Sequence, residues 1–182
     1  MKKTHFLLAI MLTSSLLVTA CSRSSSDNPA DSGSGGSATG SGTMSAKIDG
    51  QNWTATSGTV FATYTGNNLT VVGSQVQGTS AGTFNITIAN VTGTGEFRLG
   101  LAPGVGGAQG IGAYGTAAGS ASTAQAWVTT NTETGTVNIT RFDAQNKIVA
   151  GTFSFRCRAA SPNFTPEIRN ITEGRFDARW QQ

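Results

Sequence analysis

The sequence predicts an all-β fold, an antiparallel β-sandwich of about ten short strands or an open barrel-like relative of one. Three observations predict it. From Met44 onward, short runs rich in Val, Ile, Phe and Thr alternate with polar residues, which is the period of a pleated strand. Nearly every run closes on Gly, Asn or Asp, the residues that tight turns require. No stretch after Ala20 carries a convincing helical period, and no internal repeat of solenoid length is visible.

Taken in order, the first strand runs from Met44 to Ile48, and Asp49-Gly50 signals a two-residue hairpin turn into Gln51 to Thr56 with its Trp53. Further strands are expected at Thr59 to Tyr64, Leu69 to Val76, Thr83 to Val91 and Glu96 to Leu101. Phe84, Ile86 and Ile88 share one face of the fifth, and Phe97, Leu99 and Leu101 one face of the sixth. Pro103 to Ser122 is dominated by Gly and Ala, so a long loop or ragged edge is expected there, with at most a short strand around Ile111 to Tyr114. The last third is the most regular: Thr123 to Thr129, Thr136 to Phe142, Lys147 to Arg158, Glu167 to Thr172 and Arg175 to Trp180 all alternate. Residues 131–135 and 143–146 read as hairpin loops between the first three of these, and sequence neighbours are expected to pair.

Ahead of the strands lie two segments of different character. Met1-Lys2-Lys3-Thr4-His5 is a short cationic start, and the apolar run from Phe6 to Val18 covers 13 positions. A helix needs roughly 20 apolar residues to cross a bilayer core, so residues 1–20 read as a cleaved secretory signal. Cys21 follows the small pair Thr19-Ala20 directly, and Val18-Thr19-Ala20-Cys21 resembles the lipobox of bacterial lipoproteins. That resemblance implies cleavage between Ala20 and Cys21, with lipidation of the Cys21 sulfur. Several acyl chains hold far more firmly than one, since each buried methylene stabilises an anchor by about 0.8 kcal/mol. Residues 22–43 are mostly Ser, Gly, Asp, Asn and Thr with little that packs, a flexible tether with a root-mean-square span of roughly 25 Å. The expected organisation is therefore signal peptide 1–20, lipidated Cys21 and linker 21–43, and β-domain 44–182.

Asp49-Gly50-Gln51-Asn52-Trp53, the run Gly135 to Thr140, the run Asn146 to Phe155 and Gly174 to Asp177 together resemble an uncharacterised family of small β-sandwich lipoproteins of gram-negative envelopes. The resemblance covers most of Met44 to Trp180 and rests on turns and strands. It implies a membrane partner through the lipid anchor and an envelope setting, and it brings no catalytic residues. Ser22 stands where an inner-membrane retention signal would place aspartate, which favours the outer membrane.

Composition excludes several chemistries. Without Lys2 and Lys3 the chain keeps ten basic against nine acidic side chains, so no field exists to favour nucleic acid, whose binding rests on phosphate neutralisation. His5 is the single histidine and lies in the signal. The mature chain thus cannot build a Ser-His-Asp or Cys-His arrangement, and zinc loses its usual ligands. No metal or other cofactor is expected. Gly110 to Gly115 matches G-x-G-x-x-G formally, but no helix follows to receive a phosphate. Cys157 shares a strand face with Phe153 and Phe155, where a thiol acts as a small hydrophobe.

Two features carry functional hypotheses. Trp127 alternates with Gln125 and Thr129, while Ala124, Ala126 and Val128 form the more apolar face. In that register Trp127 points outward as a stacking platform for a sugar ring or a protein partner; in the reverse register it fills the core. Arg156 and Arg158 form an outward row, read as a solvated face partly neutralised by neighbours. Glu96, Glu133, Asp143, Glu173 and Asp177 are the carboxylates from which a glycoside-hydrolase pair would have to come. The sequence thus points to a non-catalytic, membrane-anchored binding or structural domain, with a glycan-binding or carbohydrate-processing envelope protein as the alternative.

Overall fold

The computed structural model describes residues 38–181. The signal, Cys21 and most of the tether lie outside the described residues. The domain is all-β, built from β1 (Thr43–Ile48), β2 (Gln51–Thr54), β3 (Phe61–Thr65), β4 (Asn68–Gln77), β5 (Ser80–Ile88), β6 (Gly95–Leu99), β7 (Gly110–Ala118), β8 (Ser120–Val128), β9 (Gly135–Asp143), β10 (Ile148–Ala159) and β11 (Ile168–Gln181). They form one mostly antiparallel sheet in the order β2-β1-β11-β3-β4-β5-β7-β6-β9-β10-β8. Additional pairings of β11 with β10 and of β7 with β8 curl the sheet back on itself, so the strand faces enclose a common interior.

Turn chemistry sets the registers. Asp49 and Gly50 take φ of 51° and 82°, and Gly66 and Asn67 take 56° and 64°, both pairs lying in the left-handed region. Two successive positive-φ residues match the right-handed twist of the flanking strands, so Ile48 faces Gln51 and Thr65 faces Asn68 directly across the turns. Asp49 is also pinned from outside, because its carboxylate accepts from the Asn170 backbone N–H and from Arg169 Nη1, each at 2.8 Å.

Phe84 is the centre of the core. It is fully buried, with Trp53 edge-on at 4.6 Å, Tyr114 at 4.9 Å, Phe153 at 5.6 Å and Phe155 at 6.1 Å between ring centroids. Aromatic pairs of this kind contribute about 0.5–1.5 kcal/mol each beyond their burial. The pairs also join β2, β5, β7 and β10 across the interior.

Four expectations need correction. The Gly/Ala-rich stretch contains β7, a nine-residue strand paired along its whole length with β5 and along most of it with β8. Glycine is required at its start, because a Cβ on Gly110 would lie 2.3 Å from Thr87 O, and one on Gly112 would press on Leu99 at 3.0 Å and Phe155 at 3.1 Å. Residues 131–135 do not close a hairpin: β8 pairs with β7 and β10, and β9 pairs with β6 and β10. Thr129 directs the chain across instead, its hydroxyl donating to Gly100 O at 2.6 Å and accepting from Gly112 N at 3.1 Å.

The two runs expected at the C-terminal end are one fourteen-residue strand, β11, with an irregularity opposite Phe153 and Phe155. Glu173 there has φ of 53°, and the Phe153 ring covers Gly174 so closely that a Cβ would lie 2.4 Å from it. An aromatic ring over a strand glycine replaces the packing that the missing side chain would give. Finally, the chain is ordered before Met44. Asp177 accepts from the backbone N–H groups of Thr39 at 2.9 Å, Gly40 at 2.8 Å and Ser41 at 3.3 Å, and from the Ser41 hydroxyl at 3.0 Å. Arg141 meanwhile donates to Ala38 O. The last residues assigned to the tether therefore belong to the folded domain.

Candidate functional site

On β4, β5, β7 and β8 the inward positions form cross-strand rows, and the rows change character partway along the strands. The row Gly73–Phe84–Tyr114–Trp127 is aromatic and closes the core. The next row in the same direction is Gln75–Gly82–Thr116–Gln125, and beyond it come Gln77, Ser80 and Ala118. The inner face thus continues past the apolar core as a polar surface. It bounds an open hollow of about 410 Å³.

The floor of this hollow is unusual. Gly82 faces inward without a side chain, and a Cβ there would lie 2.8 Å from Tyr114 Oη and 3.2 Å from Trp53 Nε1. Tyr114 and Trp53 therefore fill the space above Gly82, and any side chain there would have to displace them. Trp53 is only 3% exposed, and its indole N–H has no hydrogen-bond partner among the described residues. A buried donor left unpaired costs about 1–3 kcal/mol, and this one is sealed beneath the hollow and not exposed to it. Burial pushes the Tyr114 hydroxyl above its ordinary pKa, an effect that Arg169 only partly offsets, and the group stays a neutral donor and acceptor.

The hollow's chemistry is otherwise amide and hydroxyl. Among the described residues lining it no side chain is charged. Each glutamine amide offers two donors and an acceptor, and each hydroxyl both donates and accepts. A charged ligand would find no counter-charge here among the described lining residues. An apolar ligand would strip water from Gln75, Gln77 and Gln125 without replacing their hydrogen bonds, at about 1–3 kcal/mol for each group stranded. The surface suits a neutral, polar guest.

The residues singled out from sequence fall elsewhere. Ala20 and Cys21 lie outside the described residues. Trp127 is fully buried, so the outward platform is corrected in favour of the core register. Its ring lies 6.0 Å from Tyr114 with the Arg169 guanidinium 4.7 Å above it, and its Nε1 donates to Pro166 O at 2.7 Å. The alternation on β8 misled because Gln125 lies on Trp127's own face and lines the hollow, although polar residues ordinarily mark the outward side. Gln75 and Gln77 escaped notice for the same reason. Their signal was being in phase with Leu69 and Val71 on β4, at the inward positions.

The five carboxylates are dispersed. Glu133, 7% exposed, sits between Arg156 Nε at 3.3 Å and Arg158 Nη2 at 3.2 Å, so the outward arginine row is organised around it. Asp143 is held below the ordinary carboxylate range by the side chain and then the backbone N–H of Asn146, with Arg141 beside it. For Asp177, burial works upward, but the backbone donors of Thr39, Gly40 and Ser41 win and hold it below its ordinary value. Glu173 pairs with Lys47 at 2.7 Å. Glu96 and Glu173 border a second open groove, also of about 410 Å³, with Asn138, Thr152 and Arg175. Their strands, β6 and β11, are separated by β9 and β10, about 14 Å between backbones at the usual strand spacing. Cys157 is buried and its thiol is pushed up to about 12, chiefly by that burial.

Comparison with known proteins gives one family. A family model described as a domain of unknown function (DUF6252) matches residues 40–178, which includes Gly40 and Ser41 at the docked N-terminal segment. No curated protein and no solved structure matches the chain.

Proposed function

We propose a function from the residues of this chain, which belongs to the DUF6252 family: a lipid-anchored envelope protein whose β-domain binds a small polar molecule in the hollow between β4, β5, β7 and β8. The single observation that carries the binding role is the change of the inner face from the Phe84–Tyr114–Trp127 row to the Gln75–Gly82–Thr116–Gln125 row. Core positions are ordinarily apolar, since an amide turned inward must be hydrogen-bonded or solvated. Half-exposed amides and hydroxyls facing an open hollow support a recognition surface. Support for the anchor is the order of charge, apolar run, small residues and Cys21 at the start of the chain. The described lining offers hydrogen bonds without a histidine, a thiolate or a carboxylate pair, which fits holding a ligand better than transforming one.

Each half has its own test. In the native host, Cys21→Ala abolishes labelling by fatty acid and releases the protein from membranes; unchanged labelling refutes the anchor. For the hollow, the small-molecule fraction of the host envelope is titrated onto isotope-labelled mature protein in detergent micelles. Movement of the Gln75, Gly82 and Gln125 amide resonances is expected. Stationary resonances at those three positions refute the binding role.

A further inference from the structure

The charged side chains of this domain are segregated. Over residues 50–132 only Glu96 and Arg98 are charged, and both lie on β6. β3, β4, β5 and β7 are consecutive in the sheet, β8 pairs with β7, and these five strands carry no charge at all. A soluble surface ordinarily holds roughly a quarter to a third charged residues. Depletion of charge is what marks the centre of a protein–protein interface. From this segregation we infer that two copies of the chain associate back to back, the outer face of β3–β4–β5–β7–β8 of one against the same face of the other. That face is the reverse side of the strands that line the hollow, so the pairing goes beyond the binding role and does not rest on it.

The outward row Phe61–Val72–Asn85–Ala113–Val128 crosses all five strands, with Phe61 51% exposed. Thr63–Thr70–Thr87–Ile111 lies on one side of it. On the other side come Ser74–Thr83–Gly115–Ala126 and then Val76–Ala81–Ala117, where Val76 is 50% exposed. Four of the hydroxyls answer one another: Thr70 and Thr87 Oγ1 are 3.1 Å apart, and Ser74 Oγ and Thr83 Oγ1 2.9 Å. Those pairs keep their hydrogen bonds when water leaves, so covering them strands nothing. At about 4.8 Å between strands and about 6.8 Å between outward positions, the four rows cover roughly 500 Å² per copy. The pair then buries roughly 1,000 Å², the size at which a specific interface becomes stable.

A second copy is the partner this face fits. In a twofold pair each residue near the axis meets its own counterpart, so a charged side chain there would oppose its like. The central strand of the five, β5, instead presents Asn85, whose amide both donates and accepts and can pair with itself. The strands on the other side of the sheet carry Arg141, Arg156, Arg158, Arg175 and Arg179, and laying those against an uncharged face would desolvate them without counter-charges. Arg158, beside Val128, begins that charged rim. The uncharged face of another copy is the one surface of the domain that meets this face without such a loss.

The test is cross-linking of the full chain in envelopes of its native host. With copper phenanthroline as oxidant, Asn85→Cys is expected to give a disulfide-linked pair of this chain. Thr152→Cys, at an exposed position on β10 on the charged side, is expected to stay single. Adding Val72→Arg to the Asn85→Cys chain sets like charges together and is expected to lower the linked fraction at least tenfold, whereas Val72→Thr is expected to preserve it. Sedimentation of the purified mature protein in density-matched detergent should show two chains per particle, and one for Val72→Arg. The Trp127 indole resonance, fixed by its bond to Pro166 O inside the domain, reports that Val72→Arg remains folded. Equal linking of the Asn85→Cys and Thr152→Cys chains, no linking of Asn85→Cys, or its linking to a different protein overturns the pairing. So does a parent protein that sediments as one chain per particle.

Discussion

Replacing Asp177 by Asn should release the segment that enters the domain from the tether. The Asp177 carboxylate accepts five hydrogen bonds from Thr39, Gly40 and Ser41, three of them from backbone N–H groups. Asn keeps the shape but offers one acceptor oxygen in place of two and turns an NH₂ toward donors. Net contributions of about 0.5–1.5 kcal/mol per hydrogen bond would sum to a few kcal/mol, and partial exposure reduces this to about 2 kcal/mol. For a domain of this size that is a fall in Tm of roughly 4–8 °C. The pH dependence has a definite sign. Because Asp177 is held below its ordinary value in the folded state, its contribution is present above the unfolded carboxylate pKa and is lost as pH falls through the folded one. Hydrogen exchange supplies the local readout: the Thr39, Gly40 and Ser41 amides should exchange much faster in the variant at neutral pH and in the parent protein under acid. Unchanged protection of these three amides in Asp177→Asn would refute the docking. In parallel, deleting residues 22–37 should leave the transition unchanged, whereas deleting 22–43 should lower it.

The remaining expectations are local. Gly112→Val should destabilise the domain by about 1–3 kcal/mol in urea unfolding, because β-carbon atoms there meet Leu99 and Phe155, and a neutral result would mean that β7 does not pack as described. Cys157 should resist alkylation at pH 8 in the native protein and react at once in denaturant, since burial pushes its thiol up to about 12; rapid native labelling would place it at a surface. Glu133→Ala should cost about 2 kcal/mol in the same urea assay by leaving Arg156 and Arg158 facing each other, and Glu133→Gln should recover part of that loss. A variant as stable as the parent would show that the pair adds nothing.

What could be read from the chain followed the strength of local signals. The Asp49-Gly50 turn and the facing pairs on β10 were legible because two-residue turns and strict alternation depend on neighbours in sequence. β7 was hidden because a strand glycine normally weakens pairing. Here glycine is favoured by contacts with Leu99 on β6 and Phe155 on β10, residues remote in sequence. The continuity of β11 was hidden for a related reason. Glu173-Gly174 reads as a turn, and only the Phe153 ring above Gly174 keeps the strand running through it. The docking of Thr39 to Ser41 had no local signal at all, since its partner lies more than 130 residues away.

The candidate site shows a different limit. Alternation tells which residues share a face but does not say how far along that face the core extends. On β8, Gln125 and Trp127 are on one side of the strand, yet one meets the hollow and the other is sealed beneath Tyr114 and Arg169. Reading polarity as outwardness therefore inverted the strand. The correct inference needs the neighbouring strands: only when Gln75, Gly82, Thr116 and Gln125 are aligned across β4, β5, β7 and β8 does the polar row become a single object. A row of that kind at the open end of a curled sheet stays in contact with water, while the Trp53 indole N–H is sealed beneath Gly82 without a partner among the described residues. Half-exposed, Gln75 and Gln125 keep their amides in contact with water, and a polar guest in the hollow would have to replace those hydrogen bonds.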